Sequence, residues 1–159
     1  KHRILLLQKN NSAHAPILKS LISDYKFFEK NSQHHKQVFS HNDFYCKNIL
    51  QKENKILIID WEYSGYNSCF LDLANLSKNN DLNEEREKFI LNEYFGESFK
   101  PIYIKEFQIM KCVSMLNELL WSFISEIFAQ KDFDYTSYTD RMLRRYKKQL
   151  EYFYNLWEI

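Results

Sequence analysis

The spacing of apolar residues predicts an early helix followed by a short strand-rich segment. Behind Pro16, apolar side chains recur at helical spacing, which indicates a helix with the proline in its first turn. Val38–Ser40 is short and composed of β-favouring residues. Two further apolar runs, Ile49–Leu50 and Lys55–Ile59, flank the polar turn Gln51–Asn54 and predict a β-hairpin.

Beyond Gly65 the apolar pattern becomes helical to the end of the chain. Asn83 precedes two glutamates and predicts a helix start, while Gly96 predicts the end of that helix. A long helix is predicted from Ile102 to about Gln130, apolar on most of its circumference and therefore buried, and the last helix has one apolar and one basic side. The sequence thus predicts one mainly α domain over residues 1–159 with a small β element.

Composition and charge narrow the possible functions. Gly65 and Gly96 are the only glycines, which excludes a Gly-rich phosphate loop and a dinucleotide-binding turn from this chain. The formal net charge of +1 predicts no nucleic-acid partner. No apolar run approaches the roughly 20 residues of a membrane helix, so we expect no stable membrane insertion. Three cysteines without a C-x-x-C pair favour a reduced, cytoplasmic compartment.

Three oxygen-bearing side chains in the middle of the chain suggest phosphoryl transfer. Asp43 lies in a polar loop, Asn48 follows five residues later, and Asp60 ends an apolar strand. Transfer of a phosphoryl group to a hydroxyl needs a carboxylate near the attacking oxygen and oxygen ligands for Mg²⁺. The alternative is that each residue only bonds its own backbone in a turn. The strand leading into Asp60-Trp61-Glu62-Tyr63 favours the phosphotransfer interpretation.

These motifs resemble the catalytic lobe of the choline/ethanolamine kinase family, which is related to aminoglycoside phosphotransferases and protein kinases. The resemblance is carried by three runs, which are His41-Asn42-Asp43 with Asn48, Ile58 to Ser64, and Asp72-Leu73-Ala74-Asn75. It implies the C-terminal lobe of a protein-kinase-like fold, with the N-terminal nucleotide lobe absent from this chain. The chain starts at Lys1 and its first methionine is Met110, so we expect a piece of a longer protein.

The resemblance also implies a role for each motif residue. Asp43 would orient the substrate hydroxyl and accept its proton, while Asn48 and Asp60 would hold Mg²⁺ on the ATP phosphates. Asp72 would brace the catalytic loop, and His41 would pack and bond within that loop. The neighbouring positions expected to support the loop are Asn42 and Glu62.

An aromatic pocket for a choline-like head group is a further implication of the resemblance. Ring faces recognise a quaternary ammonium, and each contact contributes about 0.5–2 kcal/mol. Tyr63 and Trp121 match pocket positions, as does the later group Phe133, Tyr135 and Tyr138. The alternative is that these rings are ordinary core aromatics, and for Trp121, on a helix predicted to be buried, both interpretations stay open.

Two departures from the family pattern leave the acceptor open. Ile124 stands where a second tryptophan is expected, and Asn79 stands where a pocket carboxylate is expected, with Asp81 or Glu84 as possible substitutes. The predicted function is therefore transfer of the ATP γ-phosphate to choline or a related amino-alcohol. An aminoglycoside phosphotransferase and a non-catalytic ligand-binding module that retains the lobe are the two alternatives.

Overall fold

The computed structural model describes residues 2–10, 12–33, 35, 37–129 and 133–158. Its backbone divides into a terminal unit, Lys1–Ser32 with Cys112–Ile159, and a central unit, Gln33–Lys111. The elements, in chain order, are α1 (His2–Lys9), α2 (Ala15–Asn31), β1 (Gln37–Ser40), β2 (Ile49–Lys52), β3 (Lys55–Ile58), β4 (Gly65–Ser68), α3 (Cys69–Asn79), α4 (Glu84–Phe95), α5 (Ile102–Phe128) and α6 (Tyr135–Trp157). The predicted mainly α fold with a small β component is confirmed.

Two antiparallel strand pairs form the β component of the central unit. The β2–β3 pair is the predicted hairpin, and Leu50 lies opposite Leu57 in its register. The β1–β4 pair places Phe39 opposite Tyr66. Strand β1 therefore leads into the polar loop and β2 leads out of it, and β4 returns after the hairpin to pair with β1.

Side-chain caps and one glycine set the ends of the helices in the central unit. The Ser68 hydroxyl accepts the Phe70 N–H at the start of α3, and the Asn83 side chain accepts the Arg86 N–H at the start of α4. The predicted end of α4 is confirmed at Gly96, whose φ of 51° lies in the left-handed region that glycine adopts without steric cost. These helices pack through a core that contains Phe70, Ala74, Leu91 and Phe107.

A buried polar network joins α3, α4 and α5. The Glu87 carboxylate is almost fully buried and accepts hydrogen bonds from the Ser77 hydroxyl and from Gln108 Nε2, the latter at 2.7 Å. Lys111 Nζ lies 2.5 Å from the same carboxylate and forms an ion pair with it. A buried charge needs this kind of pairing, because transfer from water without a partner costs several kcal/mol.

Replacing Glu87 with alanine should lower the free energy of unfolding by about 3 kcal/mol, because the change removes the carboxylate that neutralises the Lys111 ammonium. Urea unfolding followed by circular dichroism measures the loss. The matched control is Glu85→Ala, since Glu85 lies in the same helical turn but is exposed. Equal stability of the two variants would contradict a stabilising role for the network.

The terminal unit has a separate core formed by α1, α2, α5 and α6. Leu7, Leu21, Phe123 and Tyr146 are among its buried side chains. The Tyr146 hydroxyl donates to Oδ2 of Asp24 at 2.8 Å, which links α6 to α2, and burial followed by this hydrogen bond raises the pKa of Tyr146. None of the helices formed by the described residues combines the length and apolar character needed to cross a membrane.

Three features of the secondary structure differ from the sequence prediction. The segment after Gly65 begins with strand β4 rather than a helix, and helix α1 was not predicted. Strand β3 ends at Ile58, so Asp60 follows the strand instead of ending it. Helix α5 is described to Phe128, and its predicted end near Gln130 lies outside the described residues.

Candidate functional site

The polar loop between β1 and β2, residues 41–48, carries the predicted base. Asp43 is exposed, and the backbone of Asn42 before it has a φ of 64°. Asparagine tolerates this left-handed conformation better than most residues, because its short polar side chain can bond locally. The conformation of Asn42 therefore gives the chain a sharp change of direction immediately before Asp43.

Asp72, in the first turn of α3, holds the start of this loop. Its Oδ2 accepts the His41 N–H at 2.7 Å and its Oδ1 accepts the Asn42 N–H at 2.8 Å. Asn75 Nδ2 donates to the Asn42 carbonyl at 3.1 Å, and Asn42 Nδ2 donates to the Tyr63 carbonyl at 2.9 Å. These four hydrogen bonds fix the loop to α3 and to the segment that follows Asp60.

His41 is buried and makes one hydrogen bond with each ring nitrogen. Nδ1 accepts the Asp43 N–H at 3.3 Å, and Nε2 lies 2.8 Å from the Ile59 carbonyl. Because a backbone N–H can only donate and a carbonyl can only accept, these two contacts match the tautomer that carries its proton on Nε2. His41 also lies against the Trp61 ring at 4.9 Å, so it acts in this geometry as a spacer between the loop and the β3 end.

Asn48 and Asp60 approach Asp43 from the next two segments of the chain. Asn48 Nδ2 donates to the Asp43 carbonyl at 3.2 Å. This bond uses the amide nitrogen and does not involve the amide oxygen of Asn48, which can act only as an acceptor. The Asn48 carbonyl accepts the Ile59 N–H at 2.9 Å, which places the chain just before Asp60 beside the end of the loop. Asp60 is exposed and has a φ of 65°, a second left-handed residue in the same site.

Tyr63 and Glu62 lie close to the same carboxylates. A hydrogen bond with Glu62 and its charge raise the pKa of Tyr63, and burial and then the charges of Asp43 and Asp60 add smaller increases. The structure therefore brings Asp43, Asp60 and Tyr63 within electrostatic reach of one another. Among the described residues, no group of three or more His, Cys, Asp or Glu side chains could hold a metal ion. An ion at this site would therefore need an amide or a substrate oxygen besides the carboxylates of Asp43 and Asp60.

The remaining predicted pocket residues form one aromatic cluster in the terminal unit, defined as Trp121, Phe133, Tyr135 and Tyr138. The Trp121 ring lies 6.0 Å from Tyr135 and 6.2 Å from Tyr138. Phe133 lies 4.9 Å from Tyr135 and 5.8 Å from Tyr138, and all four contacts are close to edge-to-face. The four rings, which are scattered over 18 positions of sequence from 121 to 138, are thus gathered at one place.

Exposure distinguishes this cluster from a core. Trp121 is 44% exposed, although the apolar pattern of α5 predicts a buried helix, and Phe133 is also exposed. The side chain of Ile124 packs against the core of the terminal unit. A residue that the sequence pattern does not indicate also reaches the cluster, because the Glu118 carboxylate accepts the Tyr138 hydroxyl hydrogen.

Comparison with known proteins places this chain in one family. Residues 6–89, more than half of the chain, match the family model described as choline/ethanolamine kinase. A LicA homolog from Metamycoplasma hominis is 31% identical over 136 residues, which is 86% of this chain and 51% of the relative. The chain therefore spans about half the length of that relative.

Solved structures show the same fold. A choline/ethanolamine kinase family protein from Mesorhizobium loti matches with a TM-score of 0.85 and 24% identity, over 94% of this chain and 52% of the other. A LicA structure in complex with AMP matches with a TM-score of 0.73 and 20% identity, over 96% of this chain and 53% of the other. At these identities the likeness supports the fold alone.

Proposed function

Because the chain belongs to the choline/ethanolamine kinase family, we propose that it carries the base, the metal ligands and the acceptor-binding residues of a small-molecule kinase. The reaction would transfer the ATP γ-phosphate to the hydroxyl of choline or a related amino-alcohol. The observation that carries the proposal is the convergence of exposed Asp43 with Asn48 and Asp60 around one braced loop.

Asp43 is proposed to be the catalytic base. An exposed carboxylate at a fixed turn can accept the hydroxyl proton as the oxygen attacks phosphorus. The backbone N–H of Asp43 is held by His41, and its carbonyl is held by Asn48, so the Asp43 main chain is fixed on both sides. Such fixed positioning supplies much of the catalysis in phosphoryl transfer, because little covalent chemistry falls to the protein.

Asn48 and Asp60 are proposed to hold Mg²⁺. Both offer hard oxygen atoms, since the Asn48 amide nitrogen is directed to the Asp43 carbonyl and the Asp60 carboxylate is exposed. Two protein oxygens suit this ion, which usually keeps several waters and takes further ligands from the nucleotide phosphates. When bound, the ion would neutralise phosphate charge.

The aromatic cluster is proposed to bind the substituted ammonium group of the acceptor. Exposed ring faces attract a cation through their quadrupole, and a cluster of four rings offers several such faces in one place. The exposure of Trp121 and Phe133 supports this role over a core role, because exposed rings are accessible to a ligand from solvent. Tyr63 is proposed as a further acceptor-binding residue of the central unit.

The complete kinase is proposed to be longer than this chain and to include a nucleotide-binding lobe. The hairpin β2–β3 supports this, because it presents apolar side chains to solvent, with Ile56 69% exposed and Leu57 also exposed. Contiguous exposed apolar side chains on a strand pair indicate a surface that another part of the complete protein covers. On this proposal the chain by itself is inactive.

Replacing Trp121 with leucine in the full-length protein should raise KM for choline about two- to thirtyfold with little change in kcat, because one cation–π contact is lost. The assay is ADP release with choline, ethanolamine and kanamycin as acceptors. The matched control is Phe89→Leu, an exposed aromatic residue on α4 of the central unit.

The same kinetic assay, together with calorimetry, decides between the alternative functions. Turnover of kanamycin but of neither amino-alcohol would favour an aminoglycoside phosphotransferase. Choline binding by calorimetry without any effect of Mg-ATP would favour a ligand-binding module. An unchanged KM for choline in the Trp121 variant would contradict the proposed role of the cluster.

A further inference from the structure

A carboxylate is built into the aromatic cluster. The Tyr138 hydroxyl donates to Oε1 of Glu118, which lies on α5 one turn before Trp121. Tyr138 lies near the start of α6, so this hydrogen bond joins the two helices that carry the rings. Burial raises the pKa of Tyr138, and the hydrogen bond with Glu118 and its charge raise it further, so the phenol stays protonated as a donor.

The same ring already interacts with a cation. The Arg141 guanidinium lies 5.2 Å from the centroid of the Tyr138 ring, at a distance typical of cation–π contacts. The charges of Arg141 and Arg145 both act on the Tyr138 hydroxyl, since they oppose the increase in its pKa. The cluster therefore combines ring faces, one carboxylate and two neighbouring arginines.

A carboxylate and a ring face attract a cation in different ways. The ring quadrupole acts only at contact distance and requires the cation to lie over the face. A full negative charge acts over a Debye length of about 8 Å at physiological ionic strength and needs no particular orientation. Because Arg141 and Arg145 act on the same hydroxyl, the charge of the half-buried Glu118 offsets part of the positive charge that would otherwise repel a cationic ligand from the exposed rings.

We propose that Glu118 is a specificity-determining residue that selects a positively charged acceptor for the aromatic cluster, and that Arg141 opposes it. This inference rests on the proposed function and deepens it. The charge of Glu118 lowers KM for a cationic acceptor, whereas the nearby Arg141 charge raises that KM. Neither residue takes part in the proton or phosphoryl transfer, so kcat depends on neither.

The test compares two acceptors of the same shape, choline and uncharged 3,3-dimethylbutan-1-ol, on the full-length protein. Glu118→Gln keeps an oxygen that accepts the Tyr138 hydroxyl but removes the charge. We expect its KM for choline to rise about three- to tenfold with kcat unchanged, and its KM for the uncharged alcohol to stay the same. Arg141→Gln should lower KM for choline, and Glu151→Gln, an exposed charge change on α6, should change neither KM.

The outcomes separate this inference from the proposed function. An equal rise of both KM values in Glu118→Gln, or no rise in either, would overturn the inference. Turnover of choline by the same protein would still support the proposed kinase activity. If the wild-type protein phosphorylates neither choline nor ethanolamine, the kinase proposal fails and calorimetric titration with choline decides the inference. Weaker choline binding by Glu118→Gln would then support it, and equal binding or none would overturn it.

Discussion

Replacing Asp43 with asparagine should reduce kcat of the full-length enzyme by about 10²–10⁴-fold, the usual contribution of a positioned general base. Asparagine keeps the size of the side chain and one oxygen, but it cannot accept a proton at neutral pH. The hydrogen bonds that fix this residue involve its backbone N–H and carbonyl, so the loop should keep its conformation. Steady-state kinetics with saturating Mg-ATP measures the effect.

The expected signature is a loss of kcat with KM for both substrates nearly unchanged, because Asp43 acts in the transition state and not in binding. Asp140→Asn is the matched control, since it makes the same chemical change at an exposed position of α6. Turnover of the Asp43 variant within a few-fold of wild type would contradict its assignment as the base. A loss shared by both variants would point to a general effect of charge.

The parts of the fold that the sequence predicts are those set by local chemistry. The hairpin β2–β3 follows from two apolar runs around a polar turn, and the end of α4 follows from Gly96. Strand β4 is missed because it contains Gly65 and Asn67, two residue types that strands disfavour. Its pairing with β1 joins residues 25 to 31 positions apart, and no local pattern reports a contact of that range.

The candidate site shows the same division. Motif spacing indicates Asp43, Asn48 and Asp60, the family resemblance adds Asp72, and the structure places all four around one loop. Glu118 carries no such signal, because glutamate is common on helix surfaces and its contact with Tyr138 crosses between two helices. Exposure is equally hidden, since the apolar pattern of α5 does not reveal that the ring of Trp121 reaches solvent.

The two left-handed residues of the site show how backbone geometry serves the proposed chemistry. Asn42 and Asp60 have φ values of 64° and 65°, a conformation that costs of order 1 kcal/mol or more for residues other than glycine. Asn42 directly precedes Asp43, and Asp60 is itself a residue of the site. The chain turns sharply at both positions. The hydrogen bond that the Asp72 carboxylate accepts from the Asn42 N–H offsets that cost at Asn42.

Replacing Asp72 with asparagine should lower kcat about 100-fold while the chain remains folded, because positioning errors of about 1 Å reduce catalysis by that order. Asp72 accepts two backbone N–H groups, from His41 and Asn42, with its two oxygens. In the variant one oxygen becomes an NH₂ group that faces an N–H, so one hydrogen bond is lost and two donors oppose each other. The turn before Asp43 then loses the contact that holds it.

Two measurements on the Asp72 variant separate bracing from direct participation. Hydrogen exchange of the His41 and Asn42 amides should accelerate, since the carboxylate that protects them is altered, while Asp140→Asn leaves both rates unchanged. Kinetics should show a loss of kcat that parallels this faster exchange. Faster exchange with normal turnover would mean that the loop needs no brace for catalysis. Slow turnover with unchanged exchange would mean that Asp72 contacts the substrate itself.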